Sequence, residues 1–280
     1  MKARILAILS LLMICFGIRG EEARPLRPVL SAFTVEGGTA HVIETYLSPL
    51  RYSGQRFGVG YERMQAMKFD PSRWTMDLEV RLMCSHTLNP AHNATMWHGS
   101  VEGRGSMMRT WRRGPWRYYA GGNTDLDLGV MYNARNSNNP VAAKAAWTVG
   151  VTGAVAFNTK LRGVPVCLRY MAMLPLTGAF FSPAYGELYY EIYLGNRHGL
   201  CRAAWPGNYF RLDNLLSADL RFGGTLLRLG YRLDVRSSEA SHIVTRTVTH
   251  TAVVGVASEW ISLPAKRPLQ ETDRIINALY

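Results

Sequence analysis

From residue 73 to residue 84 every second side chain is apolar. Trp74, Met76, Leu78, Val80, Leu82 and Cys84 fall on one side, and Arg73, Thr75, Asp77, Glu79 and Arg81 fall on the other. A period of two is that of a β-strand, whose successive side chains point to opposite faces. The run from residue 116 to residue 133 extends the pattern much further. Trp116, Tyr118, Ala120, Thr124, Leu126, Leu128, Val130 and Tyr132 share one face, against Arg117, Asn123, Asp125, Asp127 and Asn133. Strands of soluble domains usually have about five or six residues, whereas a strand tilted across a bilayer needs ~9–11 within the hydrocarbon. Aromatic residues at the ends and aliphatic ones between them suit such a membrane strand.

The same alternation recurs near residues 97–111, 145–157, 164–174, 210–222, 227–236 and 243–261, and less regularly near 39–47 and 55–69, where bulges are expected. These segments predict an all-β, antiparallel up-and-down transmembrane β-barrel of about ten strands. The count becomes twelve if residues 187–194 and 200–205 form a further hairpin. Short connections at 69–73, 112–115, 158–163 and 222–224 alternate with longer ones at 87–93, 133–144, 174–186 and 237–243, the asymmetry of an outer-membrane barrel. A secreted, soluble β-sandwich binding module would show the same alternation, but with shorter strands.

Lys2 and Arg4 precede an apolar stretch from Ile5 to Phe16, and Gly17 and Gly20 follow it, so residues 1–20 read as a secretory signal. Residues 21–38 are expected as a periplasmic N-terminal segment, 39–262 as the barrel, and 263–280 as a periplasmic C-terminal tail. Residues 271–280 could form a short amphipathic helix or fray. The expected location is the bacterial outer membrane, with membrane lipid as partner and with periplasmic chaperones and the barrel-assembly machinery as partners during biogenesis. The formal charge of +12 falls to about +9 without Lys2, Arg4 and Arg19; it is spread along the chain with no basic run, which argues against nucleic acid. Cys84, Cys167 and Cys201 have neither a disulfide nor a metal spacing, and they read as small apolar residues.

If the apolar faces meet lipid, the polar faces line a lumen. The expected lumen network comprises Asp77, Glu79, Arg81, Glu102, Arg104, Asp125, Asp127, Arg169, Arg211, Asp213, Arg221, Arg228 and Arg232. In so narrow a barrel opposed charges should pair and plug the interior, because an unpaired buried charge is costly; a thin water-filled conduit for small solutes is the alternative. A barrel-embedded lipid hydrolase or deacylase is a third reading. It needs a hydroxyl, a base and an orienting group in reach of one another, and His198, His242 and His250 offer no motif of that kind. No catalytic residue, metal site or cofactor is expected, and the six-residue spacing of His86, His92 and His98 specifies no coordination geometry. The long connection carries Tyr189, Tyr190, Glu191, Asn196, Arg197 and His198, which suit either a glycan or lipid headgroup or packing over the barrel mouth.

Three segments, Tyr185-Gly186-Glu187-Leu188-Tyr189-Tyr190-Glu191, Gly195-Asn196-Arg197-His198-Gly199 and Gly207-Asn208-Tyr209-Phe210-Arg211, carry a resemblance. In their order after the alternating strands, the chain resembles an uncharacterised domain-of-unknown-function family of bacterial outer-membrane proteins over residues 39–263. The resemblance implies the barrel and the compartment, and it brings no catalytic residues.

Overall fold

The computed structural model describes residues 25–261 and 274–280. The expected signal at 1–20, the linker at 263–270 and residues 271–273 lie outside the described residues. Eleven strands form one antiparallel sheet: β1 (Val29–Glu44), β2 (Ser48–Ala66), β3 (Trp74–Leu88), β4 (Thr95–Arg113), β5 (Trp116–Tyr132), β6 (Val141–Leu161), β7 (Val164–Phe181), β8 (Cys201–Ala204), β9 (Tyr209–Phe222), β10 (Thr225–Ala240) and β11 (Ile243–Trp260). Ten of them close a ring in the order β1 to β7, then β9, β10 and β11, with β11 pairing back to β1; β8 is a short extra strand on the edge of β7.

The alternation decides which way each side chain points. In β3, Leu78, Val80 and Leu82 face outward and are exposed, while Asp77, Arg81 and Ser85 face inward and are buried. The outward surface is therefore an apolar belt, and the charged residues are inside, the reverse of a soluble sandwich. Trp74, Trp111, Trp116 and Trp260 stand near one rim, the end with the short turns at 114–115, 162–163 and 223–224. Trp97 and Tyr132 stand toward the other rim, where the longer loops lie.

Three boundaries differ from expectation. The first strand begins at Val29 rather than near residue 39, so part of the expected periplasmic segment is barrel wall. The first two strands are also almost unbroken, with a single register shift at Ile43/Glu44. Glycines had diluted their alternation, and the backbones need at least one of them: a Cβ on Gly38 would lie 1.9 Å from the His250 carbonyl oxygen. Finally, the expected loop at 237–243 is a tight turn at Ser241 and His242, both at positive φ, and residues to either side continue the β10–β11 ladder.

Residues 274–280 neither fray nor form a helix. Leu26 and Ile275 make a parallel bridge, and Ile276, Ala278 and Leu279 are buried inside the short-turn mouth. The Tyr119 hydroxyl donates to the Ala278 carbonyl at 2.7 Å, Asn158 donates to the Leu279 carbonyl at 3.2 Å, and the Arg221 guanidinium lies over the Tyr280 ring. Apolar residues at the tail's end find an apolar socket of Leu30, Met64, Met108, Met171 and Leu226 within the barrel. That burial is what places the tail there.

Candidate functional site

The lumen is filled in three layers. At the short-turn end is the apolar socket with the tail in it. At the long-loop end Val42, Tyr46, Tyr52, Met96, Met131 and Ile243 form a second apolar cluster, with Tyr189 packed against it. Between them lies a layer of arginines and carboxylates, because the polar faces of neighbouring strands are in register there.

Asp213 on β9 is one hub of that layer. Its Oδ2 accepts from Arg81 at 2.9 Å, Arg104 at 2.8 Å and Arg232 at 3.0 Å. Glu102 on β4 is a second, accepting from Arg81 and Arg211 at 2.6 Å each and also from Arg236. Asp125 joins Arg104 at 2.9 Å to Arg211 at 2.8 Å, Glu79 takes Arg104 at 3.0 Å and Arg232, and Asp127 pairs with Arg236. Nearer the short-turn end, Glu62 receives Arg169 and Arg228, and Asp219 receives both ends of the Arg228 guanidinium at 2.7 and 2.8 Å. Charge-assisted and bidentate bonds of this kind are the strong ones.

The ring order gives these pairs their meaning. β3 and β9, β4 and β10, and β2 and β7 lie diametrically opposite in a ten-strand ring. Arg81–Asp213, Glu102–Arg236 and Glu62–Arg169 join each of those opposite walls. The ion pairs therefore cross the whole lumen rather than line it. Arg81, Arg228 and Asp213 are each no more than 2% exposed.

The residues named from sequence for the lumen stand there, with two qualifications. Arg221 is at the short-turn mouth, paired with Glu259 at 2.6 Å instead of within the central layer. Asp77 is buried, but no ion pair reaches it and its Oδ1 has no hydrogen-bond partner among the described residues. Sequence reasoning left out Glu36, Arg56 and Glu62 on the glycine-rich strands β1 and β2. Val35, Phe57, Val59 and Tyr61 alternate with them, but Gly37, Gly58 and Gly60 interrupt the pattern. Asp219, Asp234 and Arg236, on polar faces that the alternation displays, also belong to the layer.

The long loop holds a short helix, α1 (Tyr189–Tyr193), and β8. Half of the residues singled out in it serve the loop itself. The Ala143 N–H donates to the Tyr189 hydroxyl at 2.7 Å, the Leu188 N–H donates to Glu191 at 2.9 Å, and Asn196 donates to Glu187 at 2.9 Å. Tyr46 fixes the loop to the barrel by donating to the Glu187 carbonyl at 2.6 Å, and burial pushes its hydroxyl pKa up to about 12. Tyr190, Arg197 and His198 remain exposed.

Of the histidines, His242 sits in the tight turn and His250 meets the Tyr231 hydroxyl at 2.5 Å. A Ser–His pair that the sequence did not suggest lies on the β1–β2 wall: His41 Nδ1 is 2.9 Å from the Ser53 hydroxyl. No carboxylate is paired with His41 among the described residues. Cys84 and Cys201 are exposed free thiols and Cys167 is buried in the lumen. Among the described residues no three His, Cys, Asp or Glu side chains are grouped to hold a metal.

Several solved barrels are similar in shape, all with low identity. The outer membrane protease OmpT from Escherichia coli is 5% identical, over 85% of this chain and 98% of that one, with a TM-score of 0.45. The translocator domain of the autotransporter NalP from Neisseria meningitidis is 14% identical, over 92% and 96%, with a TM-score of 0.38. Neisserial surface protein A is 9% identical, over 82% and 97%, with a TM-score of 0.34. No functionally curated protein matches the sequence. Residues 5–267 match the family described as "Protein of unknown function (DUF3316)", and the chain belongs to that family.

Proposed function

We propose that this protein is a closed, non-conducting and non-enzymatic barrel of the bacterial outer membrane, with its short turns and C-terminal tail on the periplasmic side. The observation that carries the reading is the set of ion pairs joining opposite walls through Asp213, Glu102 and Glu62. A solute path would have to break several charge-assisted bonds at once, while the apolar layers above and below deny water continuity to either mouth. The apolar outer belt, with tryptophans toward its rims, supports placement in a bilayer. The inward-facing charge then makes a rigid core, and interaction falls to the outer face and the long loop, where exposed Tyr190, Arg197 and His198 offer a surface to headgroups or glycans. Membrane lipid and the assembly machinery are the proposed partners, the latter meeting β11, whose outward Val254, Val256 and Trp260 form an apolar row.

Planar-bilayer recording of the refolded full chain tests this directly. The expected record has no conductance steps; a steady open channel in most insertions would overturn the closed-barrel reading. A second reading, lipid hydrolysis, draws on the His41–Ser53 contact, which places a base beside a hydroxyl on the wall. Fatty-acid release from mixed micelles that is abolished by Ser53→Ala and kept by His198→Ala would establish it in place of the non-enzymatic one.

A further inference from the structure

The apolar belt differs in height around the barrel. On the β11–β1–β2 face the outward side chains are apolar over only three ladder rows, from Ala252–Gly37–Phe57 to Val256–Phe33–Tyr61. A polar row closes each end. Toward the long loops it is His250–Thr39–Gln55, all exposed; toward the short turns it is Ser258–Ser31–Arg63. Gln55 and Arg63 are eight residues apart on β2. At ~3.4 Å per residue and a strand tilt of ~40°, the two polar rows stand about 21 Å apart across the bilayer.

Diametrically opposite in the ring, β5 and β6 carry a much taller belt. Every outward pair from Trp116–Phe157 to Tyr132–Val141 is apolar except at Thr124, whose hydroxyl accepts from Trp147 Nε1 at 3.0 Å. Between the aromatic ends, Ala120 and Val130 are ten residues apart. By the same conversion that is about 26 Å, close to the ~25 Å apolar band of an outer-membrane barrel. The β11–β1–β2 face falls short of that band even when measured from polar row to polar row.

We propose that the β11–β1–β2 face thins the bilayer beside it, drawing phospholipid headgroups of the two leaflets to the His250–Thr39–Gln55 and Ser258–Ser31–Arg63 rows. The proposal rests on the bilayer placement given above. A wall shorter than the hydrocarbon is met by local thinning, and an arginine that is costly at depth is nearly free at the interface. The short-turn row is ordered as an interface would require. Trp260 Nε1 donates to Ser31 at 3.1 Å, Ser31 and Tyr61 share a hydrogen bond, and the Arg63 guanidinium lies over the Trp260 ring. Arg63 Nε has no hydrogen-bond partner among the described residues, and neither polar row contains a carboxylate. A second copy of this face would therefore bring Arg63 no counter-charge, whereas a lipid phosphate does. The chains of the same lipids fill the groove of about 630 Å³ among Phe33, Val35, Val59 and Val256.

Spin-label depth measurement on the full chain, refolded into dioleoylphosphatidylcholine vesicles, tests it. The exposed thiols Cys84 and Cys201 are replaced by alanine, and one nitroxide is attached at Gln55→Cys, Arg63→Cys, Ala120→Cys or Leu128→Cys. Gln55 and Arg63 lie four positions either side of Val59 on β2, as Ala120 and Leu128 do around Thr124 on β5. A flat bilayer therefore sets the two pairs at equal depth, and a tilted barrel makes one label of each pair deeper and the other shallower. Thinning should lower the ratio of oxygen to nickel-chelate accessibility several-fold at both β2 labels relative to both β5 labels. Thr39→Leu with His250→Leu, which extends the apolar belt by one row, should return the label at Gln55→Cys to the hydrocarbon value. If that variant fails to fold, the four labels in the unextended belt still decide. Equal depth for the two pairs, or β2 labels closed to both reagents as under a second protein, overturns the proposal. All four labels open to water would overturn the bilayer placement itself and this proposal with it.

Discussion

Asp213→Asn is the sharpest test of the charged layer. The change keeps the side chain's volume and removes its charge, leaving Arg81, Arg104 and Arg232 without the carboxylate they share within 3.0 Å. Two unit charges ~4 Å apart interact by about 4 kcal/mol at an effective dielectric constant of ~20. Stripping one partner from a buried ion pair costs ~3–5 kcal/mol, largely because the remaining charge stays buried. Each arginine here retains another carboxylate: Glu102 for Arg81, Asp125 for Arg104, Glu79 for Arg232. The loss should therefore fall near the lower limit, about 3 kcal/mol. The assay is reversible urea unfolding in lipid vesicles, followed by tryptophan fluorescence and by the mobility of unboiled protein on gels. Asp77→Asn is the matched control, since Asp77 is as buried as Asp213 but has no ion-pair partner. Neutralising it should change stability by less than ~1 kcal/mol or raise it, because it removes a desolvated charge and no direct ion pair. Equal losses in the two variants would refute the argument, for the cost would then follow burial and not pairing.

Three further outcomes follow from the packing. Truncation before Arg274 empties the apolar socket of Ile276 and Leu279 and should lower unfolding stability by about 3–5 kcal/mol, with bilayer recordings still silent because the ionic layer remains. Tyr46→Phe removes the hydrogen bond to the Glu187 carbonyl, at a cost of about 1 kcal/mol, and limited proteolysis should then cut the long loop faster. In the unaltered protein loop protection should be constant below pH 10 and decline from there toward about pH 12; the folded tyrosine holds its proton more tightly than the unfolded one, so rising pH favours the undocked state, and the phenylalanine variant should lack that pH dependence. Gly38→Val should sharply reduce the folded yield at the β1–β11 closure, seen as loss of the fast-migrating unboiled band, since its Cβ would overlap the His250 carbonyl.

Much of this architecture is legible from one local rule. Arg81 points inward and Leu82 outward because they are neighbours in a strand, and a lipid-like belt around a charged interior follows from repeating that alternation over long strands. The rule lost its signal where glycine replaced the outward or inward member, which is why Val29–Glu44 was cut short and Glu36, Arg56 and Glu62 went unnamed. It also mistook the Ser241–His242 turn for a loop, because neither residue is a glycine at a position that requires positive φ.

What the sequence by itself determined is the side on which each residue lies, since that depends only on its immediate neighbours. What only the tertiary structure decided is which inward residues meet. Arg81 and Asp213 are 132 positions apart and face each other because ten strands closed into a ring put β3 opposite β9. Twelve strands would have set different partners at a wider spacing. The tail's docking in the short-turn mouth likewise has no local signature. It arises where a distant segment meets an apolar surface that exists only once the barrel is closed.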